Sequence, residues 1–273
     1  MVERREMALD TVEATRYVTA LREGGSMPGL VEASDEGLYV VKFRGAGQGL
    51  QALVAEVLVG ELIRAAGLPV PILVTVEVDA RLGTAEPDPE IQELLGASVG
   101  ENLGVDFLPG ALPYAAAGVW QPSPELAAEI VWLDALTTNV DRTVRNPNLL
   151  RWHDRLWLID HGAALYLAHG GLADPVALAR RPFPLIADHV LLPRAGSVLE
   201  AGERLRARLR GAGGVGGTGG DGDTAAIVDA AALVPAPWYE AGDPPQAYVA
   251  YLSERLTWGG FAQEAEDARL SRA

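Results

Sequence analysis

The sequence predicts an α+β fold in two lobes, an N-terminal antiparallel sheet with one helix followed by a mainly helical C-terminal lobe. Three observations predict it. Short β-branched and aromatic runs, parted by glycine and proline turns, fill much of the first 108 residues and are interrupted by one strong helical stretch. After Gly162 the chain turns mainly helical. Between the two, residues 138–162 read TNVDRTVRNPNLLRWHDRLWLIDHG, two polar loops around two short apolar runs.

The chain has 273 residues, 49% of them hydrophobic, enough for one domain of two lobes with a shared cleft. The expected organisation is a single unit over 1–273, with a sheet lobe at 16–108 and a helical lobe at 109–273. A formal net charge of −15 argues against non-specific nucleic-acid binding, which needs many cations to replace phosphate counterions. Cysteine is absent, which removes disulfides and thiolate metal sites. The opening MVERREMALD is charged and lacks an apolar signal region, and no apolar run reaches membrane-spanning length. A cytoplasmic protein without membrane or nucleic-acid partners is therefore expected. The four histidines lack the HExxH spacing of a metalloprotease.

In order, residues 1–15 read as a loose lead-in and 17–21 as a strand. Gly24-Gly25-Ser26-Met27-Pro28-Gly29 is a tight turn whose backbone N–H groups suit either an ordinary hairpin or the approach of a phosphate. Strands follow at 30–33 and 38–43, the second interrupted by Lys42. Val41 and Phe43 should share one face and Lys42 the other, as a solvated lysine or as one paired with a carboxylate. Residues 51–66 are a helix with an apolar stripe, stopped by Gly67 and kept stopped by Pro69 and Pro71. Glu56 on this helix is either a surface residue or the partner of Lys42, with Glu61 as competitor. Residues 72–78 are a strand, 91–95 a short helix, and 102–108 a strand that breaks at Phe107-Leu108-Pro109-Gly110, an interlobe hinge whose backbone suits an adenine edge.

Residues 111–122 read as a loop. Ser123 and Pro124 open a helix reaching about 137, with Ser as N-cap and Pro at its first position. Strands at 149–152 and 156–159 should form a hairpin. Helices are expected at 163–168, 175–180, 185–192, 197–209, 224–233 and 246–258, with a flexible glycine-rich loop at 211–223.

The hairpin brings together Asp141, Asn146 and Asp160. Phosphoryl transfer to a hydroxyl needs this set: one carboxylate to orient the attacking oxygen, and an amide oxygen plus a second carboxylate to hold Mg²⁺ on nucleotide phosphates. Spacing from Asp141 favours Asn146 as the amide ligand; position just before the 149–152 strand favours Asn148, the alternate.

The segments GGSMPGL, LYVVKF, AEVLVGELIRAAGLPVP, TTNVDRTVRN and LIDHGAAL, in this order, resemble the HipA-like kinases of the protein-kinase-like superfamily. Similar DR-containing loops occur in phosphatidylinositol kinases. The resemblance covers roughly residues 17–170. It implies ATP and Mg²⁺ as cofactors, Lys42 on the α/β-phosphates, Glu56 as its ion pair, Asp141 as base, Asn146 and Asp160 as metal ligands, and Gly24 to Gly29 as the cover of the phosphates. It also makes Ser26 a candidate for autophosphorylation. The implied reaction is transfer of the γ-phosphate to a hydroxyl, first of all a protein serine or threonine. The alternatives are a nucleotide-binding regulatory module without turnover, and a metal-dependent hydrolase, which would need neither Lys42 nor the hinge. Two departures stand out. Asp160-His161-Gly162 has histidine where typical protein kinases have phenylalanine, and the extra N-terminal subdomain of full HipA toxins has no room here. A toxin role and an antitoxin partner are therefore outside the expectation.

Overall fold

The computed structural model describes residues 8–21, 27–47, 49–84, 86–212, 222 and 224–272. Gly24, Gly25, Ser26 and most of the 211–223 loop lie outside these residues.

Five strands close into a barrel in the order β1-β2-β3-β5-β4: β1 (Thr11–Ala20), β2 (Gly29–Ala33), β3 (Leu38–Lys42), β4 (Leu73–Val78) and β5 (Gly100–Asp106). Neighbours are antiparallel except β1 and β4, which pair in parallel with Thr11, Val12 and Glu13 beside Thr75, Val76 and Glu77. This pairing corrects the loose lead-in expected over 11–15. Val12 is buried between exposed Thr11 and Glu13, the alternation of a half-buried strand. Val31, Tyr39, Val41, Phe43, Val74 and Val76 fill the barrel. On β3, Val41 and Phe43 point inward as expected, and Lys42 points out toward the rest of the molecule.

Helix α1 (Gly49–Ala65) lies outside the barrel and is buried nearly all round, with Leu53 through Gly60, Leu62 and Ile63 inside. The apolar stripe expected there is a whole surface, as befits a helix wedged between sheet and helices. It packs on α6 (Ala225–Leu233) and on the 3-10 turn Ala236–Ala241, so its core runs on into the C-terminal region. A short helix α2 (Pro89–Ala97), capped by the Asp88 side chain at 2.9 Å from Glu90 N, sends Ile91, Leu94 and Leu95 to the barrel cluster.

Helix α3 (Pro124–Leu136) starts as expected, with Ser123 Oγ accepting from Leu126 N at 3.2 Å. It is the axis of the helical region. Trp132 meets Phe261 edge-on at 5.2 Å between ring centres. Around α3 lie α5 (Val198–Ala212), α7 (Pro245–Trp258) and α8 (Gly260–Leu270), with α4 (Pro175–Ala179) against α7. The buried Arg255 of α7 donates to Ala135 O, Leu136 O, Ala179 O and Arg181 O, so it closes the carbonyl end of α3 at the point where the polar loop begins.

The sequence reading differs in four further places. Helix α8 was not expected; Gly259 (φ +69) separates it from α7, and Phe261, Ala262 and Ala265 bury its inner face. The helix expected at 163–168 is a 3-10 turn over Tyr166–Ala168, because Leu165 adopts a left-handed backbone (φ +59). The helix expected at 185–192 is two 3-10 turns, Pro184–Asp188 and Leu192–Arg194, each with proline among its first two residues. In place of an unbroken loop at 111–122, β6 (Leu112–Pro113) edges the expected hairpin of β7 (Leu149–Trp152) and β8 (Arg155–Leu158). Among the described residues no helix is long and apolar enough to cross a membrane.

Candidate active site

Lys42 leaves the end of β3 on its outer face, where burial must be offset by charge. Two carboxylates do so. Its Nζ bonds Glu56 Oε1 from α1 and lies 2.6 Å from Asp160 Oδ1, just past β8. The Lys42 and Glu56 side chains are 14% and 2% exposed, and that of Asp160 is 46% exposed toward the cleft. Burial opposes the charge on Lys42, but Glu56 and Asp160 outweigh it and raise its pKa. Burial also opposes the charge on Asp160, and Lys42 outweighs it in turn, so Asp160 falls below the usual carboxylate range. For Glu56 burial prevails over Lys42 and raises its pKa. Lys42 is also the only lysine in the chain. Glu61, the competing candidate, pairs instead with Arg64 at 3.2 Å, one turn along its own helix.

The loop Asp160-His161-Gly162 docks on one face of α1. Gly162 N donates to Glu56 Oε1 at 2.6 Å. A Cβ on Gly162 would stand 3.1 Å from that oxygen and 3.5 Å from Ala52 Cβ, so glycine lets the two backbones approach. One turn beyond Glu56, a Cβ on Gly60 would stand 2.8 Å from Leu73 Cδ1, so glycine there makes room for β4. Asp160 itself has a left-handed backbone (φ +55), a strained state for a non-glycine residue that the docked loop maintains.

Asp141 is half-buried in the polar loop after α3. Its Oδ2 accepts from Asn146 Nδ2 at 2.7 Å and from Asn148 Nδ2 at 3.2 Å. Asn148 Nδ2 also lies 3.4 Å from the Asp160 carbonyl, so the two acidic loops are neighbours. Asn146 is exposed and Asn148 is buried.

Beneath these groups lies a network the sequence reading missed. Arg142, 1% exposed, donates from Nε to Asp134 Oδ2 of α3 at 2.5 Å. Its NH1 donates to Asn148 O, and its NH2 to His161 Nδ1 at 3.3 Å. Asp134 also accepts from His189 Nε2 at 2.9 Å and Asn139 Nδ2 at 3.1 Å. The His189 tautomer is fixed by Leu191 N, which donates to its Nδ1 at 3.1 Å. One buried arginine thus ties together the neighbours of Asp141, Asn148 and Asp160. A lone acid inside the apolar helix run IVWLDAL was the available signal. Burial would raise the pKa of Asp134, but Arg142 and His189 hold it well below the carboxylate range. Burial, aided by Arg142, pulls His161 down to about 3, so its ring is neutral.

A cleft of about 580 Å³ opens above Lys42 and Asp160. Its walls are apolar, with Val40 and Val105 from the barrel and Leu150 and Ile159 from the hairpin side. Phe107, the expected hinge residue, follows β5 and lines it; its N–H bonds Leu38 O at 2.9 Å. Asp106 lines the cleft beside Phe107, and Lys42 and Asp160 line it as well; a largely apolar slot with such a charged pair is suited to a flat base that carries charged groups.

A barrelled sheet and helix over a helical region, with a lysine–glutamate pair at the cleft between them, is a protein-kinase-like architecture. The family model described as HipA-like kinase matches residues 15–169, more than half of the chain, and the chain belongs to that family. Among solved structures it is similar to the Helicobacter pylori proinflammatory kinase CtkA, with TM-score 0.51, 11% identity, and 97% of this chain and 100% of that one covered. At such low identity the likeness speaks for the fold alone. A golgi casein kinase structure gives TM-score 0.49 at 13% identity over 98% of this chain and 73% of that one, and adds nothing to the assignment. No curated protein sequence matches the chain.

Proposed function

We propose that this protein is an ATP- and Mg²⁺-dependent phosphotransferase that moves the γ-phosphate to a hydroxyl acceptor, a protein serine or threonine first of all. One observation carries the reading: Lys42, held between Glu56 and Asp160 in a largely apolar cleft, with Asp141 one asparagine away. In this reading residues 16–108 form the nucleotide lobe and 109–273 the catalytic lobe of a cytoplasmic protein.

Each residue then has a task. The base lies between the apolar walls and against the backbone at Phe107. Lys42 holds the α/β-phosphates, and Glu56 keeps its ammonium aimed. The resemblance gives Gly24, Gly25 and Ser26, which lie outside the described residues, the part of covering the phosphates. Asp141 orients the acceptor hydroxyl. The acceptor oxygen bonds the γ-phosphorus, the bond from that phosphorus to the ADP oxygen breaks, and the hydroxyl proton passes to Asp141. Asn146 and Asp160 suit Mg²⁺, being oxygen donors, one an exposed amide and the other a carboxylate that lines the cleft. Among the described residues no cluster of three or more acidic or histidine side chains forms a metal cage, and a cation held by two protein groups plus phosphates and water needs none. When bound, the ion neutralises charge on the phosphates as it develops.

Calorimetry tests the binding half. ATP affinity should fall at least tenfold when EDTA replaces Mg²⁺. Equal affinity in both conditions favours the second reading, a nucleotide-binding regulatory module without turnover.

A further inference from the structure

The second amide of the NPN run has a different place from the first. We infer that Asn148 is a positioning residue that fixes the carboxylate of Asp141 against the Asp160 loop. The inference rests on the phosphotransferase reading and deepens it.

Asn148 is 8% exposed, while Asn146 lies at the surface. Its Nδ2 sits between Asp141 Oδ2 at 3.2 Å and Asp160 O at 3.4 Å. Its main-chain carbonyl is gripped by Arg142, which is anchored in turn to Asp134. Its backbone is left-handed (φ +48), a conformation asparagine tolerates better than most residues. The backbone of Asn148 is therefore held by Arg142, and its side-chain Nδ2 is turned on the two acidic loops.

The consequence falls on Asp141. Asn146 and Asn148 both donate to Oδ2. That arrangement commits one carboxylate oxygen to the protein and leaves Oδ1 for the acceptor hydroxyl. Two donors on one oxygen also stop the carboxyl group from rotating, which matters because small misplacements of a reacting group cost about a hundredfold in rate.

The variants are Asn148→Gly, which accepts the left-handed backbone, Asn148→Asp, which keeps the shape but loses the donors, and Asn146→Ala for comparison. Purified full-length proteins are assayed for label transfer from γ-labelled ATP and for ATP binding with and without Mg²⁺. Asn148→Gly and Asn148→Asp should lower kcat about a hundredfold, with the KM for ATP and the Mg²⁺-dependent gain in affinity held within about threefold. Asn146→Ala should lose most of that gain. If Asn148→Gly loses the gain as fully as Asn146→Ala does, Asn148 is a ligand and the inference is wrong. If it keeps full kcat, it positions nothing.

A third readout needs neither ATP nor turnover. In the nitrogen-labelled free protein, Asp141→Asn should move the side-chain amide resonances of both Asn146 and Asn148. A stationary Asn148 signal overturns the contact, even in an active enzyme. Conversely, a wild type that binds no ATP sinks the proposed function, while this resonance still decides the contact.

Discussion

Lys42 Nζ and Asp160 Oδ1 stand 2.6 Å apart across 118 residues of sequence, joining the end of β3 to the loop after β8. Glu56 holds the other side of the same ammonium and, through Gly162 N at 2.6 Å, the loop that carries Asp160. The three groups form one unit, and Glu56 is its buried member.

Glu56→Gln tests that unit. The amide can still accept from Gly162 N but leaves a nearly buried ammonium with one half-exposed partner. Stability should fall by about 3 kcal/mol, the range for breaking a buried pair, in urea unfolding. The control is Asp188→Asn, whose exposed pairing with Arg272 should be worth less than about 1 kcal/mol. Similar losses for both would contradict the burial argument.

Amine chemistry offers a direct view of the cleft, because no other lysine competes with Lys42. Acylation by an N-hydroxysuccinimide ester, read by peptide mass spectrometry, should be slow at Lys42 in the free protein and slower still with Mg-ATP. Labelling indifferent to nucleotide would place ATP elsewhere.

His161 should make the protein acid-sensitive. Its pKa falls from an ordinary 6.5 to about 3 by burial and then by Arg142, so between those values the unfolded chain binds a proton that the folded one refuses. The stabilising effect is complete above about pH 6.5 and drains away as pH falls toward 3. Asp134, also held low, adds its loss only below its ordinary 3.8. His161→Phe removes the titration and the buried Nε2, which has no hydrogen-bond partner among the described residues. From pH 6.5 to 5 the wild type should lose roughly 2 kcal/mol more than the variant. Equal slopes would show that His161 is not buried and neutral.

Much of the site was legible because its parts obey local rules. Lys42 stands out against an apolar strand whose alternation fixes its face, and Glu56 against a helix with little else that is charged. Asp141, Asn146 and Asp160 lie on loops at the ends of short strands, where spacing alone restricts their partners. Arg142 escaped notice because an arginine in a polar loop reads as solvated. Only the packing of α3 under that loop shows that it is buried against Asp134. The start of β1 was missed because its closing partner, β4, is more than fifty residues away and pairs in parallel. Helix α8 was missed because its inner face is mostly alanine, which carries little hydrophobic signal until Phe261 meets Trp132.

The most direct test of the whole account is the fate of γ-labelled phosphate. Wild type and Asp141→Asn are incubated with labelled ATP and Mg²⁺, alone and with cell extract, after calorimetry has matched their occupancy. The account predicts ATP affinities within about threefold of each other, label moved onto protein serine or threonine by the wild type, and transfer at least a hundredfold lower in Asp141→Asn, as for loss of an oriented base. Label that stays on ATP in a wild type shown to bind it would contradict the account and leave a nucleotide-binding module.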